Sequence, residues 1–170
     1  MLERKEAGRP NRVFIHGLES SAQGRKGVFF KTRYPGMIVQ DYVGSFSRRM
    51  KKLKADLEDK DNLIIVGSSY GGLMATVFAG KWQEKVKKLI LLAPALNLLP
   101  EEELSTMQIN VPTFVYHGKH DEVVPEYIVR RRAEKLFTNL KYHLLDDDHT
   151  LNATFTTLNW DSLLSLEIPQ

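Results

Sequence analysis

The chain is 170 residues long, carries 24 Lys and Arg against 21 Asp and Glu, and is 42% hydrophobic. That length fits one compact domain, read as residues 11–170 behind a flexible stretch at 1–10, and the apolar fraction excludes wholesale disorder. With no cysteine, a disulfide framework, a thiolate zinc site and a cysteine nucleophile are all excluded.

A net charge of +3 is too small to indicate a nucleic-acid partner. The basic stretches at 48–60, 81–88 and 130–135 alternate with apolar positions, as a solvated outer face does. No apolar run reaches the ~18 residues that a membrane span needs, and the longest candidate, Leu89 to Leu99, is broken by Pro94 and Asn97. The charged N-terminus lacks the apolar stretch of a secretory signal, so a cytoplasmic protein is expected.

In chain order, the first short apolar run is Val13–His16, which ends in the small loop His16-Gly17-Leu18-Glu19-Ser20-Ser21. Residues 24–34 have no decisive period. Met37–Asp41 is a second run, and Ser45–Leu57 has helical spacing. Leu63–Ser68 follows, then the helical segment Tyr70–Trp82, the run Leu89–Ala93 and a short helix over Glu101–Met107. Thr113–His117, the helical Pro125–Phe137 and Tyr142–Leu145 complete the alternation, with a terminal helix expected over Leu151–Leu164. Strands that alternate with helices imply βαβ units, and hence a three-layer α/β fold whose mostly parallel six-stranded sheet is covered on both faces. Ligands in such sheets bind outside the carboxyl ends of the strands, at the crevice where the strand order reverses.

That rim carries reactive residues. Gly67-Ser68-Ser69-Tyr70-Gly71-Gly72 holds a G-x-S-x-G pattern centred on Ser69, between a strand and a helix, which is the context of a nucleophile elbow. A P-loop is excluded because the Gly-Lys-Ser/Thr ending is missing. A serine hydroxyl needs a base to remove its proton. His149, just past the last strand, is the best placed of the five histidines; His16 reads as a brace for its loop, His120 as solvated, His143 as structural or exposed, and His117, at a strand end, as structural or packed near the site. Asp121, in the loop after Thr113–His117, would orient the imidazole, with Glu122 as the nearest substitute. Asp146, Asp147 and Asp148 read as a solvated turn rather than a metal site. A tetrahedral oxyanion at Ser69 would take the amides of Tyr70 and of Leu18, with Glu19 the alternative to Leu18.

The segments Phe14-Ile15-His16-Gly17, Gly67-Ser68-Ser69-Tyr70-Gly71-Gly72, His117-Gly118-Lys119-His120-Asp121-Glu122-Val123-Val124-Pro125 and Asp148-His149 together resemble a small, lidless α/β-hydrolase, similar to the YqiA-like bacterial esterases. They span most of the chain. The resemblance implies strand order 2-1-3-4-5-6, in a reduced form because the family's two leading antiparallel strands have no room before Val13. It implies a serine hydrolase with the triad Ser69, Asp121 and His149, an ester or thioester substrate (a small molecule or a carrier-linked acyl group), no cofactor and no metal. Activity should then rise with pH as His149 loses its proton. A non-catalytic binding module on the same fold is the alternative. The short stretch from Asn97 to Val111 leaves no room for a large lid; Leu96, Leu98, Leu99 and Leu104 either line an acyl pocket or pack the sheet edge. Oligomeric state is not legible.

Overall fold

A computed structural model describes residues 8–169; most of the stretch expected to be flexible, residues 1–7, lies outside the described residues. The strands are β1 Asn11–Ile15, β2 Ile38–Val39, β3 Leu63–Ser68, β4 Val86–Leu92, β5 Thr113–Gly118 and β6 Leu140–Leu145. They form one parallel sheet in the order β2-β1-β3-β4-β5-β6. The helices are α1 Arg25–Arg33, α2 Phe46–Leu57, α3 Tyr70–Lys81, α4 Glu101–Thr106, α5 Glu126–Leu136 and α6 Trp160–Leu163. The ambiguous stretch at 24–34 is thus helical, and the edge strand β2 is only two residues long.

Crossover handedness sorts these helices onto two faces. Chain direction across the sheet reverses after β2, and right-handed crossovers then put α1 on one face and α2 to α5 on the other, while α6, after the last strand, returns to the α1 face. The packing agrees. Leu53 and Leu57 of α2, Leu73, Met74 and Phe78 of α3, Leu104 of α4, and Val129, Ala133 and Leu136 of α5 share one core. Phe30 of α1 and Trp160 and Leu163 of α6 share the second, with Phe14, Ile64, Val66 and Phe155. Residues Leu63–Gly67 of β3 are buried between the two, which is why that strand has no polar alternation. Helix α3 is apolar all round and buried along residues 71–79, as a helix wedged between the sheet and its neighbours must be.

Two expectations change. Residues 151–164 do not form one helix: residues 155–157 make a single 3-10 turn, and α6 is one turn whose Asn159 cap accepts the Ser162 N–H at 3.2 Å. Short polar side chains compete with helical backbone bonds here, as when the Thr157 hydroxyl donates to the Thr154 carbonyl at 2.7 Å. Nor is 81–88 wholly a solvated face. Lys88 is fully buried, and its ammonium donates to the carbonyls of Leu163 (3.1 Å), Ser165 (2.7 Å) and Glu167 (2.6 Å), so it ties the C-terminal segment to β4.

Candidate active site

Ser69 sits where β3 turns into α3, with φ +53° and ψ −113°, a left-handed conformation that a non-glycine residue adopts only under constraint. The constraint is visible. Its N–H donates to the Leu92 carbonyl at 2.9 Å, and its carbonyl accepts from Gly72 (2.9 Å), Leu73 (3.2 Å) and Ala95 (2.9 Å). Glycine at 71 is required by close approach: a Cβ there would lie 2.1 Å from the Ile15 carbonyl oxygen. The absence of that one methyl lets α3 begin directly against β1, so the elbow stands beside the loop after β1.

The Ser69 hydroxyl lies 3.0 Å from His149 Nε2, and His149 Nδ1 lies 2.7 Å from Asp121 Oδ2. In the tautomer these contacts require, Nδ1–H donates to the carboxylate and Nε2 accepts the serine O–H. Asp121 is buried, and its other oxygen accepts the amides of Val123 (2.9 Å) and Val124 (2.8 Å). Three side chains distant in sequence thus form one hydrogen-bonded line. Glu122 takes no part in it.

The remaining histidines separate by environment. His16 is buried; its Nδ1–H donates to the Gly17 carbonyl at 2.7 Å and its Nε2 accepts the Tyr42 amide at 2.9 Å, so it braces the β1 loop. His120 is exposed and meets Asp146 at 2.9 Å. His143 stacks on Tyr116 with ring centroids 4.7 Å apart. His117 is more than a packing residue. It is fully buried, with Nε2 3.1 Å from both Asp121 Oδ2 and the Val124 carbonyl, so the acid has an imidazole on each side. Burial pushes the His117 pKa below the usual histidine value. The only advance signal was its place at the end of β5, four residues before Asp121.

The aspartate triplet is not a solvated turn throughout. Asp147 is buried and accepts from the Ala153 amide (3.0 Å), the Thr154 amide (2.8 Å) and the Thr154 hydroxyl (2.8 Å). Burial alone would raise its pKa, but the bonds from Thr154, Asp148 and Ala153 outweigh that and hold it below the usual carboxylate range. Its work is to fold the loop that carries His149. Among the described residues, no three His, Asp or Glu side chains gather as metal ligands would.

Ser69 and His149 open into a cleft of about 680 Å³, whose lining includes Gly17, Leu18, Glu19, Tyr70 and Leu98. Tyr70 supplies the first amide of α3, a position with no carbonyl four residues back to accept it. A Cβ on Gly17 would stand 3.5 Å from Ser69 Cβ, which places the start of the β1 loop, and Leu18 next to it, against the elbow. Leu96, Leu99 and Leu104 are buried in the core, whereas Leu98 is 55% exposed and alone of the four faces the cleft.

Comparison with known proteins fits this architecture. Residues 37–107 match the model of the family described as serine aminopeptidase, S33. A proline iminopeptidase of Elizabethkingia meningoseptica is 32% identical over 89 residues, which is 51% of this chain and 30% of that protein, so the match spans less than a third of the relative's length. Mouse alpha/beta hydrolase domain-containing protein 10 superposes with a TM-score of 0.70 at 23% identity, covering 86% of this chain and 84% of its own. Est1E from Butyrivibrio proteoclasticus gives 0.74 at 16% identity, covering 92% and 86%. The monoacylglycerol lipase of Paleococcus ferrophilus gives 0.70 at 16% identity, covering 94% and 97%. The sheet order, the elbow on β3 and these superpositions show that the chain has the α/β-hydrolase fold.

Proposed function

We propose that this protein is a serine hydrolase acting on a carboxylic ester or thioester through an acyl-enzyme. One observation carries the reading: the unbroken line from Asp121 through His149 to the Ser69 hydroxyl, with links of 2.7 and 3.0 Å. In this mechanism His149 Nε2 takes the Ser69 proton as the oxygen attacks the acyl carbon. Asp121 holds the imidazole in its tautomer and stabilises the cation that forms. The amides of Tyr70 and Leu18 donate to the oxyanion, aided by the positive end of α3. His149 then protonates the departing alcohol or thiol, and the serine keeps the acyl group. Water, deprotonated by the same nitrogen, attacks the acyl-serine, and collapse of that second adduct returns the proton to Ser69.

A fluorophosphonate probe tests the nucleophile. Stoichiometric labelling should map to Ser69, and Ser69→Ala should abolish both labelling and p-nitrophenyl butyrate turnover. Labelling elsewhere, or turnover that survives Ser69→Ala, would refute the mechanism; neither labelling nor turnover in the folded parent protein would favour a binding module.

Peptide hydrolysis is a second reading, favoured by the family match and by the relative named proline iminopeptidase. Glu19 lines the cleft and offers a carboxylate to a free amine, while Arg25 and Lys26 line it too and would repel one. Prolyl-β-naphthylamide turned over faster than p-nitrophenyl butyrate would reverse the order of the two readings.

A further inference from the structure

The cleft beside Ser69 has two chemically different walls, and they belong to opposite faces of the sheet. One wall is built by the loops after β4 and β5: Ala95, Asn97, Leu98, Val123 and Val124. Apart from Asn97 it is apolar, and Ala95 and Val124 continue into the core beneath α3 and α5. The opposite wall is built by the start of α1 and the loop after β6: Arg25, Lys26, His149, Thr150 and Asn152. Lys26 donates to the Thr150 carbonyl at 2.5 Å and lies over the Phe155 ring, whose core is the one under α1. The cationic wall is therefore the wall that carries the proposed general acid.

The lining of the cleft itself carries two cations, Arg25 and Lys26, against one carboxylate, Glu19. The Arg25 guanidinium is exposed and has no ion pair or hydrogen bond among the described residues. Asp147 and Asp148 keep their charge and act on Lys26, but neither lines the cleft, and their oxygens are turned to the protein: Asp148 accepts from the Thr150 amide (2.8 Å) and hydroxyl (2.6 Å), and Asp147 accepts from residues 153 and 154. Glu19 lines the cleft from the β1 loop and offsets the pair from the open side. Lys26 is held below the usual lysine pKa by burial and then by its neighbour Arg25, a strain that a bound anion would relieve.

Resting on the serine-hydrolase reading above, we propose that the substrate is an ester or thioester whose leaving group carries an anion, carboxylate or phosphate, held by Arg25 and Lys26, while its acyl chain lies along Leu98 and Val123. The polarity follows from the proton path. The departing oxygen or sulfur must sit within hydrogen-bond reach of His149 Nε2 to be protonated, so the rest of the leaving group extends along the wall that continues through Thr150 to Lys26. The acyl substituent, on the other side of the reacting carbon, meets the apolar wall. The exposed Arg25 strengthens anion binding most at low ionic strength, where screening is weak.

Four esters test this. They are 4-butyryloxybenzoate, 4-butyryloxyphenyl phosphate, the neutral methyl 4-butyryloxybenzoate, and a succinate half-ester of methyl 4-hydroxybenzoate that puts the anion on the acyl side. Each kcat/KM is divided by the ester's hydroxide rate, to remove leaving-group reactivity. We expect one or both leaving-group anions to be favoured over the neutral ester by about tenfold at low salt, as charge-assisted contacts allow. That ratio should fall to near one in Arg25→Glu and with added salt, and persist in Lys51→Glu on the far helix α2. Comparison of the two anions tells carboxylate from phosphate. Preference for the neutral ester, or for the acyl-side anion, overturns the proposal. Binding of 4-hydroxybenzoate against methyl 4-hydroxybenzoate, measured by calorimetry, separates this failure from failure of the hydrolase reading. Tighter binding of the anion that Arg25→Glu removes supports the cationic wall even if no ester turns over; equal binding refutes it.

Discussion

Gly118 is the last residue of β5, and its replacement by alanine should disable the site without unfolding the protein. Its φ lies outside the left-handed region, so the backbone itself accepts alanine and sterics alone decide the outcome. A Cβ at 118 would stand 2.4 Å from the Asp148 carbonyl oxygen and 2.5 Å from that of Asp147, about 1 Å short of ordinary van der Waals contact. The loop cannot slide aside freely, because Lys119 donates to Leu145 at 2.8 Å and His120 to Asp147 at 3.0 Å on either side of the clash. Residues 147–149 must then retreat together and carry the His149 ring with them. A retreat of about 1 Å would stretch the 3.0 Å link between His149 and Ser69 to about 4 Å, beyond the reach of proton transfer. Misplacement on that scale costs about 10²-fold in rate. The assay is kcat/KM on p-nitrophenyl butyrate alongside the rate of fluorophosphonate labelling, with circular dichroism and thermal melting to verify the fold. Both rates should fall together in a folded variant. Gly118→Ala activity within about threefold of the parent would show that the His149 loop is not held by this contact.

Other outcomes follow from the same geometry. His117→Gln removes one of the two imidazoles that fix Asp121, and kcat should fall by about tenfold with little change in KM, as expected for a positioning residue. The substitution should also act on acid stability. Folded His117 has a lowered pKa, so below the ordinary value of about 6.5 the unfolded chain binds more protons, and stability is lost as pH falls through the folded pKa. Urea midpoints measured from pH 8 to pH 5 should therefore drop less in His117→Gln than in the parent; parallel curves would refute the linkage. Lys88→Met removes the ammonium from the carbonyls of Leu163, Ser165 and Glu167, its three shortest bonds, at an expected cost of about 3 kcal/mol, or a Tm lower by roughly 6–12 °C. A Tm within about 2 °C of the parent would mean that other donors replace the ammonium. Asp147→Ala unties residues 153 and 154 from the His149 loop, and hydrogen exchange across 146–155 should accelerate while β3 and β4 remain protected.

The path from sequence to this site was uneven, for physical reasons. Ser69 was legible because an elbow imposes local demands: a strand, a turn that crowds its neighbours, and glycine where α3 meets β1. Asp121 and His149 were legible because parallel strands deliver the loops after β5 and β6 to the same edge. Helix α1 escaped a periodicity reading because Phe29 and Phe30 sit on adjacent positions that both face aromatic neighbours, so its apolar stripe is not clean. The terminal helix was overestimated because apolar spacing at 151–164 reports burial, and burial is here achieved by turns that cover Phe30 and Phe155.

By itself, the sequence determined the alternation of strands and helices, the sheet they build, and the order in which Ser69, Asp121 and His149 arrive at its rim. These depend on the period of apolar residues and on glycine spacing, which act over a few neighbours at a time. Only the tertiary structure decided that His117 backs Asp121, that Asp147 is buried beneath the loop it folds, and that Leu98 rather than Leu96, Leu99 or Leu104 faces the cleft. It also brought Lys88 to carbonyls 75 to 79 residues away. Each of these is a contact between segments brought together only when two cores close on opposite faces of one sheet, and no local pattern encodes which side chain will be left facing the other.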